Sequence, residues 1–350
     1  MVVTEQAGRR TARVETEAIY AALSAGVVGA VLGWIVTSGA GLGFWGDWPS
    51  VGGIAAVAAV AIAIAAAATA YTRSASRPDQ AWRKGLSKWR VVVSTISVTI
   101  VHAVLAALGT STVYLVLDRG FIGLTLRPFD GAVLLAASTG LSAYLVYLSS
   151  SRTSTKRMSS LLLAFVALGV LTSMATSTEA DWWELNFSEL GTFDTFSSFA
   201  FNGTLVGAGL LVTTFAAYVQ TDMGLLVAAG KLESRRAPGA VAIMLVIMGV
   251  MLAIVGIVHV NVAPIVHTIA ASGMALVFFG LLGSSPWLLR GMPRAYFLSI
   301  IAIAAAFILG AVLFAVGFFG LTAFELLVFC LIFGWIVIFI RFLGVADQRD

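Results

Sequence analysis

The stretch KLESRRAPGAVAIMLVIMGVMLAIVGIVHV, residues 231–260, decides the fold. Three basic residues, Lys231, Arg235 and Arg236, stand at its head, and from Ala240 to Val258 no side chain carries a charge. About 20 consecutive apolar residues, rising ~1.5 Å each, cross the hydrocarbon core of a bilayer. Lipid offers backbone N–H and C=O groups no partner, so such a run must satisfy them internally, as a helix. Outward from it the pattern recurs. Apolar runs at 18–37, 52–71, 92–116, 131–149, 159–177, 201–219, 264–284, 296–316 and 321–340 bring the expected spans to ten. Only 11% of residues are charged, against ~25% in a soluble domain. The expected fold is therefore all-α, a polytopic transmembrane helix bundle in a cell membrane.

Charge between the runs orients them. The basic residues fall at 9–13, 73–90, 152–157, 231–236, 290–294 and 341–349, in every second connector and at both ends, and only Arg119 and Arg127 fall elsewhere. Basic connectors stay cytoplasmic, so both termini are expected inside. The opposite face is acidic: Asp47, Asp118, Asp130, Glu179, Asp181, Glu184, Glu189 and Asp194 all lie in the other connectors. The longest of them, Thr178 to Ala200, also holds Trp182, Trp183, Phe187, Phe193, Phe196 and Phe199. Such aromatics settle at headgroup depth, so this loop is expected on the outer interface. Residues 1–17 read as a cytoplasmic tail rather than a signal peptide. Residues 18–158 read as a four-span bundle, 159–343 as a six-span bundle with its outer loop at 178–200, and 344–350 as a second tail.

Several classes are excluded. The net charge of +4 comes from loops beside spans, so no nucleic-acid partner is expected. Cys330 is the only cysteine, which rules out an intrachain disulfide and a thiolate cluster; inside the last run it is expected to be a buried small hydrophobe. No GxGxxG unit, phosphate loop or HExxH motif is present. No resident cofactor or metal is expected. Small residues at GxxxG-like spacing, Gly29 and Gly33, Gly203, Gly207 and Gly209, and Gly273, Gly280 and Gly283, are expected to let helix backbones approach within the chain.

Ionisable groups inside a membrane are costly and mark functional positions. His259 ends the seventh span, His267 begins the eighth, and Glu325 lies about one turn inside the tenth. At helical rise, His267 and Glu325 reach similar depth below the outer surface, a level the loop residues Glu189 and Asp194 can also reach. These five form an expected polar patch. His102 lies roughly 20 Å from the outer end of its span and is expected to be a separate, hydrogen-bonded core imidazole. Ser188, Ser197 and Ser198 lie near the patch in sequence, in no distinctive triad order.

Phe187-Ser188-Glu189-Leu190-Gly191, then Phe201-Asn202-Gly203-Thr204-Leu205, then His267 with Ala271, resemble the bacterial membrane family catalogued as domain of unknown function 998. A looser likeness extends to the Frag/DRAM group of multispan proteins. The resemblance covers the last six spans. It implies a family architecture without an assigned reaction, and it raises Glu189, Asn202 and His267 above other polar residues.

The leading expectation is that the chain binds or transports a lipid or other amphipathic molecule at the outer leaflet. Glu189, Asn202, His267, Glu325, His259 and Asp194 are its candidate ligand-binding residues, and membrane lipids its expected partners. Two alternatives stand beside it. One is a membrane-embedded enzyme acting on a lipid-linked substrate, with Glu189 or Glu325 as general base and a histidine as its partner. The other is a non-catalytic subunit or scaffold, which brings in membrane-protein partners or a homo-oligomer.

Overall fold

The computed structural model describes residues 2–39, 41–192 and 195–347. Among these residues there are ten α-helices, all long and apolar enough to cross a membrane. They are α1 (Val2–Thr37), α2 (Val51–Ser74), α3 (Lys88–Gly120), α4 (Pro128–Ser151), α5 (Thr155–Thr176), α6 (Phe196–Ala228), α7 (Ala237–Ile257), α8 (Pro264–Leu288), α9 (Arg294–Ala315) and α10 (Leu321–Asp347). No strand occurs among the described residues; the nearest approach is one isolated bridge between Leu42 and Leu126. The chain is an integral membrane protein of the all-α, multi-pass class.

Helix ends follow local chemistry. Ser50 Oγ accepts from Gly53 N–H at the head of α2, and Ser154 Oγ from Arg157 N–H at the head of α5, supplying acceptors for first-turn donors that have no intrahelical partner. Proline opens α4 and α8, where its missing N–H costs nothing. Two boundaries differ from expectation. Thr195 caps α6 by accepting from Ser198 N–H, so that helix starts at Phe196 and the loop before it is shorter than 178–200. At the other end α6 runs past Val219 to Ala228 and stops just before Gly230, whose φ is +72°. The tail expected at 1–17 continues the first span as helix. Its carboxylates dock on α4: Tyr147 Oη donates to Glu17 (2.8 Å), Arg152 to Glu15 (2.9 Å), and Tyr144 Oη also to Glu15.

The chain divides into two compact units, Met1–Thr153 and Ser154–Asp350. In the first, α1 lies along α4, and α2 packs on α3 and α4. A Cβ on Gly33 would stand 2.1 Å from the Gly131 carbonyl oxygen, and one on Gly29 2.5 Å from that of Leu135. Both glycines therefore serve packing within the chain. Ala18, Ala63, Ala67, Ala70 and Ala103 make a small-residue core. His102 is buried there, its Nδ1 on the Val98 carbonyl (2.7 Å) and its Nε2 on Ser149 Oγ (2.9 Å).

In the second unit, α6 packs on α5 and α7, α8 on α7, and α10 on α9 and α5. Gly209 and Gly249 meet across the α6–α7 contact, and Gly169 of α5 faces Thr204 of α6. Gly203, Gly280 and Gly283 meet nothing within 4 Å, contrary to expectation; their side of the helix faces away from a neighbour. Cys330 is exposed rather than buried. It lies on the outward side of α10, where an apolar thiol suits lipid as well as a core.

Candidate functional site

Nineteen residues, 177–195, connect α5 to α6. They carry two short 3₁₀ turns, Trp182–Glu184 and Phe187–Gly191. The second is the Phe-Ser-Glu-Leu-Gly stretch, and the helices grip it residue by residue. Phe187 N–H donates to Glu325 Oε2 of α10 at 2.5 Å. Ser188 Oγ meets His267 Nε2 of α8 at 2.9 Å. The Gly191 carbonyl accepts from Asn202 Nδ2 (2.9 Å) and from Ser198 Oγ (2.8 Å), both of α6. Asn261 Nδ2, in the α7–α8 connection, donates to the Thr192 carbonyl at 3.2 Å.

The tautomer of His267 follows from its partners. Its Nδ1 lies 2.7 Å from the Val258 carbonyl, which can only accept, so Nδ1 carries the proton. In the neutral ring Nε2 is then an acceptor, and the Ser188 hydroxyl donates to it. The ring is buried. His259 Nε2 in turn meets Asn202 Nδ2 at 3.1 Å, so both histidines hold parts of one turn. Gly191 lets the Asn202 amide come close: a Cβ there would stand 2.5 Å from Asn202 Oδ1 and would force that side chain to shift.

Apolar contacts seat the same turn. Phe187 and Leu190 are buried. The Phe187 ring packs edge-on against Phe201 (5.4 Å between centroids) and lies near Trp182 and Phe329. Around it, Trp183, Leu185, Phe196 and Phe199 are exposed. Such a rim suits the headgroup region of a bilayer.

Glu325, His267 and Asn202 thus converge on residues 187–191, and His259 braces Asn202. Glu189 lies on the turn but points elsewhere, accepting from Thr192 Oγ1 at 3.1 Å. Asp194 lies outside the described residues. No group of three His, Cys, Asp or Glu side chains suited to a metal ion occurs among the described residues. Two polar atoms have no place in the sequence reading. Asn186 Oδ1 and Thr322 Oγ1 are buried without a hydrogen-bond partner. One residue precedes the gripped turn, and the other lies one helical turn before Glu325. Only the sequence position of Asn186, next to Phe187, hinted at either.

Comparison with known proteins matches the chain to no family model, no curated protein and no solved structure.

Proposed function

We propose that the second unit binds an amphipathic molecule, a membrane lipid or a compound like one, at the end that carries the 177–195 connection. The observation that carries this reading is the pair of buried, partnerless polar atoms, Asn186 Oδ1, next in sequence to the Phe187 that bonds Glu325, and Thr322 Oγ1, one helical turn before Glu325. Leaving such groups unmet costs ~1–3 kcal/mol each, a cost that a ligand head can offset. Asn186 Oδ1 and the carboxylate are acceptors, so the head they suit offers N–H or O–H donors, as amino and polyol headgroups do. A donor from the head would displace Phe187 N–H from Glu325 and lift one corner of the turn. His267 and Asn202 would keep the rest in place as a hinge. The exposed aromatics would hold this lid at the interface, with the apolar part of the ligand among the lipids. The residues resembling the domain of unknown function 998 family coincide with this turn and its partners, and we propose kinship with that family on the same ground.

Native mass spectrometry of the purified protein tests the reading. Glu325→Ala and Asn186→Ala should each reduce retained lipid several-fold relative to the unaltered chain. If Glu325→Ala and Asn186→Ala both retain lipid at the unaltered level, the reading is wrong.

One observation favours a second reading, a membrane-embedded hydrolase or acyltransferase. A hydroxyl on a neutral imidazole, with the far ring nitrogen fixed by an acceptor, is the arrangement of an activated nucleophile. Ser188 Oγ would attack an acyl ester carbonyl as its proton passes to His267 Nε2. The ester C–O bond then breaks, and the leaving alcohol takes that proton from the imidazolium. Water or an acceptor hydroxyl releases the acyl group from Ser188. In this version the histidine, rather than Glu189 or Glu325, is the base.

A further inference from the structure

At the opposite end of α5 from the gripped turn, a groove of about 750 Å³ runs between α5, α6 and α10. Two cations stand on it, Lys156 from the first turn of α5 and Arg341 from near the end of α10. Both are exposed, and among the described residues neither makes an ion pair. The single carboxylate on the groove, Asp222 of α6, accepts from the Thr155 hydroxyl. Ser159 and Ser160 donate their hydroxyl hydrogens to the Lys156 carbonyl, so they are spent as donors. The remaining wall is apolar, with Leu163, Leu225 and Ile340 prominent in it.

We infer that this groove seats an anionic phospholipid, its phosphodiester between Lys156 and Arg341 and its acyl chains against the leucine and isoleucine wall. Two positive charges stand against one negative, so a singly charged phosphodiester brings the lining to neutrality. Arginine's planar fork suits phosphate oxygens, while lysine supplies a mobile point charge. Basic recesses between transmembrane helices hold anionic headgroups in this way on the cytoplasmic side, the side on which the charge pattern puts Lys156 and Arg341. The inference is independent of the lid reading, which concerns the other end of the same unit.

The test uses the full chain, delipidated in detergent, with binding measured by native mass spectrometry and by the thermal midpoint. Phosphatidylglycerol should bind and raise Tm, while phosphatidylcholine and inorganic phosphate should do neither at the same concentration. The double variant Lys156→Gln, Arg341→Gln should bind phosphatidylglycerol about 30-fold more weakly, each charge near the surface contributing about equally. Arg235→Gln with Arg236→Gln, which removes the same charge away from the groove, should leave binding unchanged. Undiminished binding by the first double variant overturns the site. Equal loss in the second overturns it too, because charge alone would then be responsible. Equal binding of phosphatidylcholine removes the role of headgroup charge, and equal binding of inorganic phosphate removes the lipid; either defeats the inference. Unaltered elution and Tm of each variant without lipid show that folding is not the cause.

Discussion

Ser188 Oγ donates to a buried imidazole, and that bond either holds the turn or prepares a nucleophile. The two roles separate under one substitution. As a latch, Ser188→Ala leaves His267 Nε2 buried without a donor, a loss of ~1–3 kcal/mol, and lipid retention falls with it. We expect that outcome, read as a lowered thermal midpoint and a smaller retained-lipid signal. As a nucleophile, Ser188 would instead form a covalent adduct with a fluorophosphonate, visible as a mass increment that vanishes in Ser188→Ala and in His267→Gln. Such an adduct would favour the enzyme reading over the lid. Charge and helical rise were enough to bring His267 and Glu325 to one level in the sequence, because a titratable side chain at a given depth is rare and conspicuous. Asn186, Thr322 and Ser188 were not conspicuous. Small neutral polar residues are common in this chain, and what distinguishes these three is the partner each has or lacks, which spacing does not encode. Glu189 shows the converse: prominent in the motif, it accepts from Thr192 within its own turn.

Glycine separates what pattern reveals about helices from what it hides. Gly209 and Gly249 sit backbone to backbone across α6 and α7; a Cβ on the first would lie 2.4 Å from the Gly249 oxygen, and one on the second 2.6 Å from the Gly209 oxygen. Both obstacles are main chain and cannot rotate away. Gly249→Ala must therefore push α7 from α6 and should cost roughly 1–3 kcal/mol, as overpacking does. Gly280→Ala and Gly283→Ala meet open space and should be neutral or stabilising by up to ~1 kcal/mol through helix propensity. Thermal melts in one detergent check all three; a melt in which Gly249→Ala matches Gly280→Ala removes the close crossing. In the sequence these glycines looked alike. The GxxxG spacing of Gly29 and Gly33 marks a stripe that does meet α4, but on α8 only Gly273 meets a neighbour, Met251 of α7, while Gly280 and Gly283 face open space. Period fixes which residues share a face and leaves open which face meets a helix. Helix ends were similarly legible where a proline or a change in polarity marks them. They were missed at α6, whose early start rests on one Thr195 hydroxyl.

Ten helices were legible because each is marked by apolar length, and the expected alternation because a second signal, basic charge, recurs in every second connector. If all ten helices cross, an even count puts both ends on one side, and the positive-inside bias predicts that this side is the cytoplasm. The proposals at the two ends of the second unit depend differently on this orientation. The lid needs only that residues 177–195 lie at an interface, whereas the phosphodiester groove at Lys156 and Arg341 also gains from the anionic lipid of a cytoplasmic leaflet. Cysteine labelling decides the orientation. Because Cys330 is exposed, the background must be Cys330→Ser. In it, Glu184→Cys should react with a membrane-impermeant maleimide in intact cells, while Glu233→Cys, before α7, should react only after permeabilisation. Both side chains are exposed, so accessibility within the fold does not confuse the result. The reverse pattern would turn the array over, putting the aromatic connection in the cytosol and the basic groove in the outer leaflet. Labelling of both positions in intact cells would break the even count itself, and with it the alternation of basic and acidic connectors from which the topology follows.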